Sequence, residues 1–275
     1  MQVSFRSFQR LVFAAAAAAV VLLSSPLLAA EYRFSVEPEY PPAQAEEIYA
    51  PLIDYLSRST GHTFRLVVPR NYHLLWRDMR KGAEVDFVFE DAHFTDFRMQ
   101  RFGFVPVARV ATQTAFSLIA LDDVAARGLE GLVGYRIISM PSPSLGYAAL
   151  GGFYPNPISQ PEVQSVAASW RDGVEMVFAG EAEAAMVPNY IAELYPNLTL
   201  MQQSQSFPAR AVSAAASVPE DVRQAVRDAL LRMHEDDSLY SALNEIGVVR
   251  FEPVDPSDYR GRQSMLRGFF GYQEP

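Results

Sequence analysis

Short apolar runs alternate with amphipathic segments from Tyr32 onward, and that alternation confines the chain to an α/β architecture. Tyr32 to Glu37 reads as a strand. Ala45 to Ser59 then sets Ile48, Leu52, Ile53 and Leu56 on one helical stripe, with Gly61 as its stop. Phe64 to Val68 is the next apolar run, Asn71 caps a helix through Arg80, and Gly82 ends it. Val85 to Phe89 is a buried strand, Asp91 can cap a helix reaching Arg101, and Phe104 to Ala111 is extended again. The order βαβαβαβ predicts a parallel sheet covered on both faces.

The second half repeats the alternation with more interruptions. Strands are predicted at Phe116 to Leu121, Tyr135 to Ser139, Val163 to Ala167, Ala184 to Val187, Leu198 to Met201 and Arg210 to Ala216. Leu145 to Gly151 and Arg171 to Phe178 read as short helices, the second ended by Gly180. A long helix from Pro219 to His234 carries Val222, Val226, Ala229, Leu230 and Met233 on one stripe. A final segment, Asp255 to Tyr272, is expected to be helical and to pack on the first half.

The N-terminus is a targeting signal. Arg6 and Arg10 precede an unbroken apolar run of 13 residues from Leu11 to Leu23, followed by Ser24, Ser25 and Pro26. Roughly 18 apolar residues are needed to span a bilayer, so residues 1–30 read as a cleaved secretory signal peptide, with the cut after Ala29 or Ala30. The alternative is an uncleaved N-terminal anchor. The mature chain is expected to start near Glu31, in the periplasm, without membrane insertion. The sequence contains no Cys, which excludes disulfides, thiolate metal sites and a lipid on an N-terminal cysteine. Residues 1–30 hold two Arg and no acid, so 21 basic against 32 acidic residues remain and the mature balance is −11. Nucleic acid is therefore a poor partner. An anionic small molecule remains admissible, because backbone donors in a cleft act at short range where a screened surface field does not. About 245 residues are enough for two modest lobes or one large domain.

Several phrases of the mature chain, in order and spacing, resemble the solute-binding component of ATP-driven phosphonate, phosphite and phosphate importers. They are Asn71-Tyr72 through Lys81-Gly82 with Val85-Asp86-Phe87; the turn Pro141-Ser142-Pro143-Ser144-Leu145-Gly146-Tyr147; the helix Trp170 to Gly180 followed by Glu183-Ala184-Ala185; and the proline turn Phe207-Pro208. The resemblance spans nearly all of residues 31 to 250. It implies a type II two-lobed periplasmic binding protein, with two mixed, mostly parallel sheets joined by two hinge crossings and the ligand between the lobes. Carried onto this chain, the crossings fall near Ala111 to Phe116 and Arg210 to Ala214. Lobe 1 is then residues 31–114 with 211–275, and lobe 2 is residues 115–210.

The same resemblance implies the site. Tyr72 opens the first-lobe phrase. In the family the turn here spanning Ser142 to Tyr147 is a hydroxyl-rich run before a glycine and an aromatic, and it grips phosphonate oxygens. Physical chemistry agrees, since free N–H groups and a partial positive charge of about +0.5 gather at a helix start. Ser142, Ser144, Gly146 and Tyr147 are the candidates, although Pro143 and Leu145 replace hydroxyl positions of the family, and Ser144 can equally serve as a plain helix cap. Glu90 and Asp91 stand at the carboxyl end of the third strand, where ligands of open α/β sheets bind. Asp91 has a second reading as an N-cap worth about 1 kcal/mol, whereas Glu90 can receive an ammonium or a protonated oxygen.

Trp170 replaces a histidine of the family and suits stacking, Tyr190 lies near an expected acid, and Arg210 stands where an aminophosphonate binder would place an acid. Arg210 and Trp170 also have structural alternatives, as a surface Arg and as a Trp packed between helix and strand. Of the four histidines, His62, His73, His93 and His234, His93 with Glu90 and Asp91 can be read as metal ligands, but that spacing matches no zinc pattern and no second cluster supplies partners. No nucleophile elbow, glycine-rich nucleotide loop or HExxH run is present. The sequence thus predicts a monomeric, cofactor-free binding protein rather than an enzyme. It would bind an anionic or mixed-charge small molecule and hand it to an ABC permease; the alternative is a ligand-sensing subunit for a membrane histidine kinase or cyclase.

Overall fold

The chain builds one sheet, leaves to build a second, and comes back. The first passage runs β1 (Glu31–Val36), α1 (Pro42–Thr60), β2 (Thr63–Val67), α2 (Tyr72–Arg80), β3 (Phe87–Glu90), α3 (Ala92–Phe102) and β4 (Val105–Val110). The second sheet takes β5 (Phe116–Ala120), α4 (Asp122–Ala125), β6 (Arg136–Ile138), α5 (Leu145–Phe153), β7 (Glu162–Gln164), α6 (Trp170–Phe178), β8 (Ala184–Pro188), α7 (Asn189–Ala192) and β9 (Thr199–Gln203). The return supplies β10 (Ala211–Ala214), α8 (Glu220–Arg232), α9 (Tyr240–Glu245) and β11 (Phe251–Glu252). This computed structural model describes residues 29–274. The signal peptide read from the sequence lies outside the described residues except for Ala29 and Ala30.

Local chemistry explains the main boundaries. Asn71 accepts a hydrogen bond from the Leu74 N–H at 2.9 Å and starts α2, as its cap position predicts. Gly61 ends α1 at φ 71°, a left-handed backbone that residues with a Cβ disfavour.

The first sheet has the order β11-β4-β10-β3-β1-β2 and the second β7-β6-β8-β5-β9. β1 is parallel to β2 and β3, as the alternation predicts. The first sheet departs from all-parallel where β10 inserts between β3 and β4, antiparallel to both. The reason is its origin: β10 enters from the second sheet and must run opposite to strands that leave toward it. The chain crosses between Val110 and Phe116 and again between Gln203 and Ala211. Ala211–Ala214 is itself a strand of the first sheet, so the return passage precedes it. The two crossings touch: the Thr114 N–H donates to the Phe207 carbonyl at 3.2 Å, and the Phe207 N–H donates back at 2.7 Å.

Two apolar cores result. Phe34, Leu56, Phe87, Val212 and Val226 fill the first, and Leu118, Ile137, Leu145, Val174 and Val187 the second. Trp76 and Phe94, from helices of the first passage, belong to the second core. The expected C-terminal helix is instead two short 3₁₀ stretches, Pro256–Tyr259 and Arg262–Leu266. Gly261, Gly268 and Gly271 all have φ near +80°, which breaks a helical path. Nor does this tail pack on the first lobe alone: Leu266 is buried in the second core, and Phe269 meets Tyr147 with ring centroids 6.0 Å apart. No helix among the described residues is long and apolar enough to cross a membrane.

Candidate functional site

Four carboxylates gather where β1 and β3 end. Glu37 and Glu39 follow β1, while Glu90 closes β3 and Asp91 comes next; all four are buried. Glu37 Oε1 accepts the Asp91 N–H at 2.5 Å, and Tyr72 is buried near it, its hydroxyl pushed well above its usual range by burial and then by the Glu37 charge. Glu90 Oε2 accepts from Arg98 Nε at 3.0 Å, so this residue has a structural partner that the sequence reading did not foresee. Asp91 holds the N-cap position of α3, and its carbonyl accepts the Thr95 N–H at 3.0 Å. The expected side-chain cap is absent, however, and Asp91 Oδ1 is buried without a hydrogen-bond partner.

Glu39 is shared between the lobes. Its Oε1 accepts from Trp170 Nε1, at the start of α6 in the second lobe, at 3.1 Å, and its Oε2 accepts from Arg210 Nη1 at 3.1 Å. Arg210 Nη2 donates to the Ile246 carbonyl. The guanidinium carbon lies 4.7 Å from the Phe89 ring centroid and 5.5 Å from that of Tyr190, so aromatic faces cover the charge. Arg210 is thus a buried cation paired with Glu39 rather than a surface one. Trp170 packs as a core residue and also makes a specific polar contact. The Tyr190 hydroxyl has no partner. Among the described residues of this cluster, Glu37, Glu39, Glu90 and Asp91 oppose Arg98 and Arg210, an excess of two acids.

The serine turn closes from the other side. Ser144 Oγ accepts the Tyr147 N–H at 3.2 Å and donates to the Met140 carbonyl at 3.2 Å, so its hydroxyl is spent on capping α5. A Cβ on Gly146 would stand 2.9 Å from the Phe116 ring and 3.0 Å from Trp170, which is why only glycine fits there. Pro143 offers its carbonyl to His93 Nε2 at 2.9 Å, a second link from the first lobe to the second. The structure therefore brings Tyr72, Asp91, Trp170, Tyr190 and Arg210 around Glu37 and Glu39. It seats Ser142, Ser144 and Gly146 on the facing turn, and it packs Tyr147 on the C-terminal tail.

Burial dominates the electrostatics. It raises the Asp91 carboxyl to about 7, with Glu39 and Glu90 adding to the shift and Arg210 opposing it. Glu37 is pushed well above the carboxylate range by burial and then by Asp91 and Glu39. Burial also raises Glu90, against the pull of Arg98. It depresses the His93 imidazole to about 4, leaving a neutral ring at the Pro143 carbonyl. Among the described residues no group of three or more His, Asp or Glu side chains is placed to hold a metal ion. A cavity of about 210 Å³ opens beside the crossings, with Glu39, Asp91, Tyr190 and Arg210 in its wall.

Sequence reasoning missed Glu37, Glu39 and the structural role of His93. The signal was present, because Glu37-Pro38-Glu39-Tyr40 ends the first strand as Glu90-Asp91 ends the third. The rule that places ligands beyond strand carboxyl ends applies to both.

The sequence matches, over residues 34–259, the family described as the periplasmic substrate-binding protein of phosphonate ABC transporters. Solved structures share the fold at low identity. A Prochlorococcus marinus protein in complex with methylphosphonate has TM-score 0.71 and 12% identity, covering 86% of this chain and 97% of that one. A binding protein component of an ABC phosphonate transporter from Pseudomonas aeruginosa has TM-score 0.69 and 14% identity, covering 84% and 83%. A Rhodopseudomonas palustris protein with bound malate has TM-score 0.63 and 11% identity, covering 88% and 99%. A comparison with curated proteins gives no match.

Proposed function

Starting from a chain that belongs to the family of periplasmic substrate-binding proteins of phosphonate ABC transporters, we propose that it closes its two lobes on a small mixed-charge solute and delivers that solute to an ABC permease. The observation that carries this reading is Glu39, which binds Arg210 beside the return crossing and Trp170 of the second lobe at once. Of the two, the Glu39–Trp170 contact is the one between the lobes, and as a polar contact it can be exchanged for solute and water while Glu39 stays paired with Arg210. The solute's anionic end is assigned to the first turn of α5, where Ser142 and the backbone N–H groups around Gly146 supply donors. Its donor end is assigned to the carboxylates at the ends of β1 and β3.

No covalent step is involved; the work is binding and closure. A thermal-shift panel of phosphate, phosphite, phosphonates, sulfonates, carboxylates and amines tests the reading. A true solute at 100 times its dissociation constant adds about 2.7 kcal/mol. In a domain of this size that is a rise of roughly 5–11 °C. A panel with no member above baseline contradicts the assignment of a small mixed-charge solute.

A further inference from the structure

The C-terminal tail touches both lobes, and it does so with different chemistry on its two sides. Toward the first lobe it uses hydrogen bonds. The Tyr259 hydroxyl donates to the Ala209 carbonyl at 2.7 Å, and the Gln263 N–H donates to Asp96 Oδ2 on α3 at 2.9 Å. Farther on, the Phe270 carbonyl accepts Trp76 Nε1 of α2 at 2.8 Å, the Gln273 carbonyl accepts from Arg101 of α3, and the Tyr272 ring lies 6.5 Å from that of Phe97. Toward the second lobe it presents apolar side chains. The stretch Arg262–Leu266 lies against α5 as well as α3, Leu266 is buried in the second core, and the Phe269 ring meets that of Tyr147 in the first turn of α5. Asp96 is fully buried, so pulling the tail off α3 would leave its carboxylate short of a donor. Apolar contacts come away from α5 without stranding a polar group. When the lobes part, the tail therefore stays with the first lobe and the seam at α5 is the one that opens.

We propose that residues 263–272 form a strap, carried by the first lobe, that docks on α5 when the lobes shut and so raises the closed population before any solute arrives. The strap rests on the closing reading above and adds a lever to it. A solute that needs the closed form has an apparent dissociation constant that rises in inverse proportion to the closed fraction, so Phe269 sets affinity without touching the solute. Its contact falls in the same helical turn to which the solute's anionic end is assigned. Strap and solute thus act on one element.

The test needs no ligand. Because the sequence has no Cys, Glu84→Cys with Asp123→Cys gives two clean sites for spin labels. The native side chains there are 86% and 76% exposed, and they lie at the ends of the two sheets away from the crossings, where opening moves them most. The distance distribution between the labels, measured on unliganded residues 31–275, reads the ratio of closed to open protein. Expected is a fall in that ratio of about 2- to 12-fold in Phe269→Ala, the worth of one aromatic pair, and a matching fall in Tyr147→Ala, which removes the contact from the other lobe. Phe269→Tyr, which keeps a ring in place, should retain the wild-type ratio. So should Phe270→Ala, whose side chain is 87% exposed and whose carbonyl still accepts Trp76. Circular dichroism confirms which variants are folded. An unchanged ratio in either folded contact variant, or an equal fall in Phe270→Ala, overturns the strap. Glu39→Ala, which cuts the Trp170 link, tells the two readings apart. A ratio that falls in Glu39→Ala but not in Phe269→Ala sinks only the strap, whereas one fixed distance in every variant sinks the closing reading and the strap with it.

Discussion

Replacing Glu39 by alanine removes the acceptor that Trp170 Nε1 and Arg210 Nη1 share, at 3.1 Å each. The Arg210–Glu39 pair is buried, with side-chain exposures of 8% and 5%, so the substitution strands a guanidinium in a medium that solvates it poorly. Breaking a buried pair by removing one partner costs about 3–5 kcal/mol, against about 1 kcal/mol or less for an exposed pair. At about 2–4 °C per kcal/mol, Glu39→Ala should lower the melting temperature of the unliganded protein by roughly 6–20 °C. The exposed Arg127–Asp123 pair, 3.6 Å apart on neighbouring turns, is the control, and Asp123→Ala should move it by only a few degrees. Adding Arg210→Met to Glu39→Ala should recover part of the loss, because the stranded charge is gone. Calorimetric unfolding of the four proteins is the assay. A Glu39→Ala loss no larger than that of Asp123→Ala refutes the assignment of Glu39 as a buried hub between the lobes.

Gly146→Ala puts a Cβ within 3.0 Å of Phe116 and Trp170, and overpacking of this kind should cost about 1–3 kcal/mol in thermal unfolding, with no loss indicating slack in that contact. Two buried groups set opposing pH slopes. Asp91, raised to about 7, contributes stability that is present below about pH 4 and lost as pH rises through 7; His93, depressed to about 4, contributes stability that is present above about pH 6.5 and lost as pH falls through 4. Between about pH 6.5 and 4.5, acidification should therefore destabilise Asp91→Asn by about 1.4 kcal/mol per pH unit more than the wild type, while His93→Gln should tilt the other way; unchanged slopes in denaturant titrations contradict both assignments. N-terminal sequencing of the protein from a periplasmic fraction should begin near Glu31, and recovery only in membranes with Met1 intact would contradict signal-peptide cleavage.

Much of the fold was legible because its elements announce themselves locally. Asn71 caps α2, Gly61 stops α1, and the stripe from Val222 to Leu230 packs as its period predicts. Strand direction was less legible, since β10 joins the first sheet only after a detour of about a hundred residues and nothing in Ala211–Ala214 states its partner. The C-terminal tail misled because its aromatic and charged residues look helical while its glycines force turns.

In the site, residue types were readable and pairings were not. Arg210 was identifiable as a cation near the cleft, yet its partner Glu39 lies 171 positions away. Glu90 looked free because its partner Arg98 is reached two helical turns into α3, and Asp91 looked capped because the sequence cannot show a carboxylate turned off its own helix.

Small-angle scattering of residues 31–275, with and without the solute that the thermal-shift panel identifies, tests the central claim most directly. Exchange of the Glu39–Trp170 and His93–Pro143 links for solute contacts requires the lobes to part and close again about the paired crossings at Thr114 and Phe207. The radius of gyration should therefore fall on saturation, and the fall should follow the binding isotherm. A solute that binds with micromolar affinity or better while the radius of gyration stays fixed contradicts the account of two lobes closing on their ligand.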